Sequence, residues 1–424
     1  MIEPNFARAI INKLGSTGTP PEFGIETFTI GLEKHLSIIE DEYLKGILKY
    51  NLSSFKLITG NYGGGKTHFL YSVRNLAFKH DFVVVYVSLN PTECPFDKLE
   101  LVYKQIVINL TPPVSEEELT KPWEKGIESL LHRWYKDSKA KVEQVNSMHE
   151  YLRTIKGTES TSFLNAVKGA FTSIIAEDDE GFESVLQWLK GEEVGRDVRA
   201  RYRISERIDK ATAFRIIRSL AQWIHAIGYS GLILLFDEAE RGMSISSSKD
   251  KRRALDNLRQ ILDECGNSRL PGVMFFYAIP DENLLLDGSG GVYEALKQRL
   301  RSTLSETNPV GVKIDLEELG IEPAQFLKAL GLRLAGLFES AYGFEFNRSV
   351  LEKTISNLSD LALSAFAYDV SYRRLFVIGT IEAFHRIRKE PAKSIERKDA
   401  ESILRVTTQK LTEESKAEVE SEEF

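Results

Sequence analysis

Three observations predict an α/β fold built on a doubly wound parallel sheet. Residues Gly60-Asn61-Tyr62-Gly63-Gly64-Gly65-Lys66-Thr67 complete the pattern G-x-x-x-x-G-K-[ST] between an apolar run (Phe55, Leu57, Ile58) and a helix-like stretch opening at His68. Gly231-Leu232-Ile233-Leu234-Leu235-Phe236-Asp237-Glu238 is a short apolar run closed by two acids, the signature of a buried parallel strand whose carboxyl end faces a ligand. Further apolar runs at Phe82–Val87 and Val273–Ile279 alternate with helical patterns, which places the ligand at the carboxyl edge of the sheet.

The elements follow in order. Gly15, Gly18, Pro20, Pro21 and Gly24 make 1–24 a stretch of turn formers in which no long helix is expected. From Ile25 to Tyr50, Leu32, Leu36, Ile39, Tyr43, Leu44, Ile47 and Leu48 recur at helical spacing and lead into the first strand. After the strand Phe82–Val87, a helix is predicted from Asp97 to Leu110, stopped by Thr111-Pro112-Pro113. Residues 112–210 carry no strand signal, only helical patterns (123–135, 148–155, 163–175, 182–189), and read as a helical insertion. Helix returns at 211–227 before the acid-terminated strand, then at 252–265 before the strand 273–279. Beyond Pro309 one short extended piece, Val312-Lys313-Ile314, precedes four helices with apolar stripes (327–338, 349–363, 373–388, 397–412), a small bundle. The last residues, 411–424, hold six glutamates against one lysine and are expected to fray or be disordered. The expected organisation is 1–111 (amino-terminal segment and first part of the base), 112–210 (insertion), 211–308 (second part of the base), 309–412 (helical unit) and 413–424 (acidic tail).

Composition sets limits. With 424 residues, 42% hydrophobic and 28% charged, the chain has material for two or three structural units. No apolar run approaches the ~18 residues of a membrane span, and Met1-Ile2-Glu3-Pro4-Asn5 lacks a signal-peptide layout, so a cytoplasmic protein without a membrane partner is expected. Cys94 and Cys265 are too few for a disulfide framework or a structural zinc site, and the seven histidines show no metal-ligand spacing. A net charge of −7 argues against indiscriminate nucleic-acid binding by the whole surface.

The chemistry implied is that of a nucleotide. Glycines in the loop let successive backbone N–H groups turn onto phosphate oxygens, Lys66 reaches the β- and γ-phosphates, and the Thr67 hydroxyl is suited to Mg²⁺ at the positive end of the next helix. Gly60, Asn61, Tyr62, Gly63, Gly64, Gly65, Lys66, Thr67 and His68 are therefore the candidate ATP contacts. Asp237 is the partner of Thr67 at Mg²⁺, and Glu238 is placed to orient or deprotonate the attacking water of an in-line transfer. Glu240 on the same exit is a weaker candidate.

In order along the chain, these motifs, the segment Leu296-Lys297-Gln298-Arg299-Leu300-Arg301-Ser302 and the later Asp369-Val370-Ser371-Tyr372-Arg373-Arg374-Leu375 resemble an AAA+ ATPase of the origin-recognition type, a base followed by a helical lid. More closely, Ile10-Ile11-Asn12-Lys13-Leu14-Gly15, Gly18-Thr19-Pro20-Pro21 and the loop 60–67 resemble the BREX phage-defence ATP-binding protein BrxD family. The resemblance implies a role in defence against phage, a homo-oligomer, and partners among other subunits of the defence system. It also implies that Arg299 or Arg301 acts as a finger on a neighbouring subunit's nucleotide, and Arg373 or Arg374 as a lid sensor; which member of each pair acts stays open. Two departures stand out. Tyr277-Ala278-Ile279-Pro280 ends the third strand where such proteins place a polar first sensor, which implies slow or partner-dependent hydrolysis, with Asp281 or Asn283 as distant substitutes. The lid also consumes the rest of the chain, leaving no residues for a DNA-gripping winged helix.

Contact with double-stranded DNA would then fall to basic clusters. Arg199, Arg201, Arg203 and Arg207 lie in a stretch rich in arginine, Tyr202 offers stacking, and Lys251, Arg252 and Arg253 follow the acid-terminated strand. The same residues would equally suit a solvated face paired with this acidic protein's own glutamates. Two classes of function remain: a DNA-associated oligomeric ATPase, or a nucleotide-dependent scaffold with negligible turnover.

Overall fold

The computed structural model describes residues 2–115, 117–120, 123–142, 147–242, 247–267, 269–281, 283, 291–365 and 371–422. Six strands, β1 (Ser54–Thr59), β2 (Phe82–Ser88), β3 (Leu110–Thr111), β4 (Gly231–Asp237), β5 (Val273–Ile279) and β6 (Lys313–Asp315), form one sheet in the order β3-β2-β4-β5-β1-β6. All neighbours are parallel except β3, which runs antiparallel to β2 at the edge. β4 and β5 are buried at every position, as expected of strands covered on both faces. The register pairs Ser88 with Asp237 and Thr59 with Ile279, so the carboxyl ends of four strands meet at one edge.

Side chains alternate between two cores. Leu57, Val83, Val85, Leu234, Phe275 and Tyr277 face one; Ile58, Val84, Ile233, Leu235, Met274 and Phe276 face the other, against the helix Lys66–Lys79. The helices of the expected insertion (Ile127–Val142, Met148–Thr154, Thr161–Ile175, Asp179–Leu189) join the first core. Trp134 packs 4.2 Å from Phe171 and edge-on at 5.6 Å to Trp223 of the helix Ala213–Ala226, so these helices extend the core of the sheet and do not form a separate one.

A third core is helical: Pro323–Tyr342, Arg348–Ala365, Tyr372–Lys389 and Arg397–Glu422 pack together with an amino-terminal helix, Pro4–Thr17. That last helix overturns the expectation for 1–24. Pro4 stands in its first turn, where a missing N–H costs nothing, and the Glu3 carboxylate accepts from the Asn5 and Phe6 amides. Gly15 is no breaker; a Cβ there would meet Ile381 Cγ2 at 2.9 Å, so glycine permits close approach to the helix Tyr372–Lys389, and Gly18 (φ 64°) ends the helix in the left-handed region.

Three further expectations are corrected. The helix predicted from Asp97 to Leu110 is Leu99–Ile108, because Leu110 and Thr111 leave it to pair with Val85 and Val84. Residues 25–50 form short successive turns and helices instead of one regular run. The final helix continues past Thr412 to Glu422, through residues that include neither glycine nor proline and are rich in helix formers. Among the described residues no helix is long and apolar enough to cross a membrane.

Candidate nucleotide site

The loop leaves β1 at Gly60 and enters its helix at Lys66. Gly63 (φ 71°) and Gly65 (φ 98°) hold conformations that a side chain would strain, and the Gly64 amide donates to the Asn61 carbonyl at 2.8 Å. Lys66 is 8% exposed, and its ammonium donates to the carbonyls of Gly60 (2.7 Å) and Asn61 (3.2 Å), lying across the loop it would share with phosphates. Burial lowers its pKa, opposed by the carboxylates of Glu240, Asp237, Glu317 and Glu238. Tyr62 is largely exposed, with the Lys66 ammonium 5.2 Å from its ring. His68 turns away: its Nε2 lies 2.8 Å from Thr29 Oγ1 and its ring packs on Phe28, so only its backbone remains toward the loop.

Opposite the loop, β4 delivers its acids. Asp237 is 2% exposed; its Oδ2 accepts from Thr67 Oγ1 at 2.6 Å and from the Tyr86 hydroxyl at 2.7 Å. The Tyr86 phenol is driven far above its usual pKa by burial and then by that carboxylate, so it stays a donor. Glu238 has a positive φ of 50°, a strained conformation for a residue with a side chain, and its Oε2 accepts from Ser88 Oγ at 2.8 Å with Arg241 at 3.6 Å. The hydroxyl of Thr67 against the carboxylate of Asp237 is a set of oxygen donors that suits a hard divalent cation such as Mg²⁺. Burial raises the pKa of Glu240, which contributes to the field at both Lys66 and Tyr62.

The helical bundle reaches the same edge. Asp369 and Val370 lie outside the described residues, but Arg373 donates to the Gly64 carbonyl and, at 3.0 Å, to that of Leu316, and lies 3.6 Å from Glu317. Glu317 in turn accepts from the Asn61 amide at 3.1 Å. Arg374 points elsewhere, donating to the Thr17 carbonyl at 2.6 Å at the end of the amino-terminal helix. Arg299 ends the helix Gly291–Leu300 paired with Asp263 at 2.6 Å, and Arg301 is exposed beyond it. Asp281 and Asn283 are exposed and bonded to each other, while the carbonyl of Pro280 accepts from the Gly60 amide at 3.3 Å.

Ser88, Tyr86 and Glu317 escaped the sequence reading. The first two carried a usable signal, since the strand nearest the acid-terminated one sets its end residues beside Asp237. Glu317 had none, because only the path of the chain after β6 brings it to the loop.

The basic clusters are largely spoken for. Arg201 pairs with Asp178, Arg207 with Glu193 at 2.7 Å, and Arg253 with Asp250 at 2.9 Å and Asp97 at 3.8 Å. Arg252 is exposed and Lys251 half-buried on the helix Ser248–Gly266, whereas Arg199 and Arg203 line a surface cleft. Tyr202 cannot offer the expected stacking: it is 8% exposed and its hydroxyl donates to the Gly181 carbonyl at 2.7 Å.

The family model described as BREX system ATP-binding protein BrxC/D matches residues 2–402, from the amino-terminal helix into the last helix of the bundle. The chain belongs to that family. BrxC and BrxD are covered together by the match, which does not separate them. Family membership gives the chain an ATP-binding role in a BREX system, alongside the other subunits of that system. No curated protein and no solved structure matches the chain.

Proposed function

We propose that the chain is an ATP-hydrolysing AAA+ protein of a BREX-type phage-defence system, acting in the cytoplasm as a DNA-associated oligomer. The observation that carries this reading is the meeting of Thr67, Asp237 and Glu238 beside Lys66 at the carboxyl edge of the parallel sheet. The sheet is read as doubly wound, the bundle after Pro309 as its lid, and Arg373 as the lid arginine that turns from the Gly64 carbonyl to the γ-phosphate when nucleotide arrives.

In the mechanism, loop amides and Lys66 hold the phosphates, and Thr67 and Asp237 would hold Mg²⁺, which when bound would supply charge neutralisation for the transferring phosphoryl group. Glu238 leaves Ser88 to orient the attacking water and take its proton. Arg299 or Arg301 serves the nucleotide of an adjacent subunit, where a guanidinium offsets charge developing on the γ-phosphoryl oxygens.

A second reading, a nucleotide-dependent scaffold with negligible turnover, is favoured by the apolar end of β5 and by the restraint of Glu238 through Ser88 and Arg241. Phosphate release measured with and without duplex DNA separates the two. Turnover that rises with DNA and vanishes in Glu238→Gln supports the ATPase; a rate equal to that of Glu238→Gln under both conditions leaves the scaffold.

A further inference from the structure

The short helix Arg196–Arg201 ends in a double hydrogen-bonded cap: the Arg203 amide donates to the Ala200 carbonyl at 3.3 Å and the Ile204 amide to that of Arg199 at 2.8 Å. Such a cap puts one residue in the left-handed region, where glycine is the usual occupant, yet here Arg203 sits at φ 54°. Tyr202 and Ile204 on either side are buried in the core of the sheet, so the turn is fixed to the body of the protein. Arg196, Arg199 and Arg203 converge on a shallow, open cleft of about 470 Å³ completed by Ala200, Ile204 and Ser205.

Charge pairing sets these three apart from their neighbours. Arg201, Arg207, Arg215 and Arg218 each meet a carboxylate (Asp178, Glu193, Glu206 and Glu159). The side chains of Arg196, Arg199 and Arg203 make no hydrogen bond or ion pair with any described residue, and the Nε–H of Arg199 is buried without an acceptor. Arg196 and Arg203 are exposed and Arg199 is half-buried, so the cost lies in the one buried Nε–H of Arg199, which an acceptor on a bound anion would satisfy. The lining holds no acid to repel an anion and no aromatic ring on which a base would stack. Such a lining fits a phosphate backbone, which needs cations alone, better than a free nucleotide.

We propose that Arg196, Arg199 and Arg203 form a phosphate cleft that seats the backbone of duplex DNA without reading its sequence. This rests on the DNA-associated reading above and replaces the broad basic face with a bounded site, from which Arg201 and Arg207 are excluded.

The test uses the full chain and a fluorescent duplex of mixed sequence, titrated at several salt concentrations. Wild type is expected to bind, and the Arg196→Ala, Arg199→Ala, Arg203→Gly triple variant to lose about tenfold or more in affinity, with the slope of log K against log salt falling by roughly 0.9 per lost contact. Glycine at 203 suits the left-handed turn, so Arg203→Gly alone should keep or raise Tm while still weakening DNA binding, which separates lost contact from lost fold. Arg201→Ala with Arg207→Ala should leave affinity and slope close to wild type. If wild type binds DNA and the triple variant binds equally well with the same slope, the cleft is refuted while DNA association stands. If wild type binds no DNA, the DNA-associated reading falls and the cleft with it. Tighter binding of inorganic tripolyphosphate than of the duplex, lost in the triple variant but kept in Lys66→Ala, would make free polyphosphate the ligand and would overturn the proposal as stated.

Discussion

Arg373→Ala is the substitution that most directly interrogates the coupling of bundle and loop. The guanidinium is 11% exposed, spans the Gly64 and Leu316 carbonyls, and stands between Glu317 and the loop. If it turns to the γ-phosphate in the bound state, it exchanges one charge-assisted hydrogen bond for a stronger one to an anion. Bonds to neutral partners contribute about 0.5–1.5 kcal/mol and those to charged ones about 1.5–3, so the exchange gains about 1–1.5 kcal/mol and the variant should lose roughly 5- to 12-fold in affinity for a non-hydrolysable ATP analogue. ADP has no γ-phosphate and should bind the variant within a few-fold of wild type. Calorimetric titration of both nucleotides into both proteins gives the ratio directly. Arg373→Lys keeps the charge but not the planar fork and should fall between them. Equal losses for ADP and the ATP analogue, or no loss for either, would refute the exchange and leave Arg373 as a strut between bundle and sheet.

Lys66→Ala should abolish the nucleotide-induced rise in Tm if, as proposed, the side chain contacts ground-state phosphates; a rise equal to wild type would remove Lys66 from the site. Arg299→Ala or Arg301→Ala should lower turnover without weakening ATP binding, and mixing with Glu238→Gln subunits that retain both arginines should restore part of it; no rescue at any ratio argues against sharing between subunits. Lys56 is 1% exposed, contacts the Tyr43 hydroxyl and the Gly311 carbonyl, and is pushed by burial from 10.5 to about 7. Its folded pKa lies below its unfolded one, so the cost of burying the cation is full below pH 7 and is relieved as pH rises toward 10.5, up to roughly 5 kcal/mol. Lys56→Met should therefore raise Tm most at neutral pH and below; a gain independent of pH would contradict the assignment.

What could be read in advance follows from how local each pattern is. The loop 60–67 and the run 231–238 are contiguous, so strand, turn and acids were legible together. Ser88 and Tyr86 end a legible strand, but their place beside Asp237 becomes usable only once β2 is set next to β4 in the sheet order. Arg373 and Arg374 are adjacent and chemically identical in sequence; only the rotation of their helix sends one to Gly64 and the other to Thr17. The arginines between 196 and 207 were indistinguishable until Asp178 and Glu193 claimed two of them. Gly15 misled because a glycine marks a break in a solitary helix but a point of contact in a packed one.

The placement of Pro4–Thr17 in the carboxyl-terminal bundle bears on synthesis. About three hundred residues separate this helix from its first partner in the bundle, Pro323–Tyr342. At ~5–20 residues per second, its apolar face waits roughly 15–60 s on the ribosome for something to cover it. The sheet and its phosphate loop can assemble during that interval; the bundle that carries Arg373 cannot close until nearly all of the described chain has been made. The bundle leaves Ile10, Ile11 and Leu14 uncovered over that time, and mistimed translation would strand this helix before it disturbs the sheet edge.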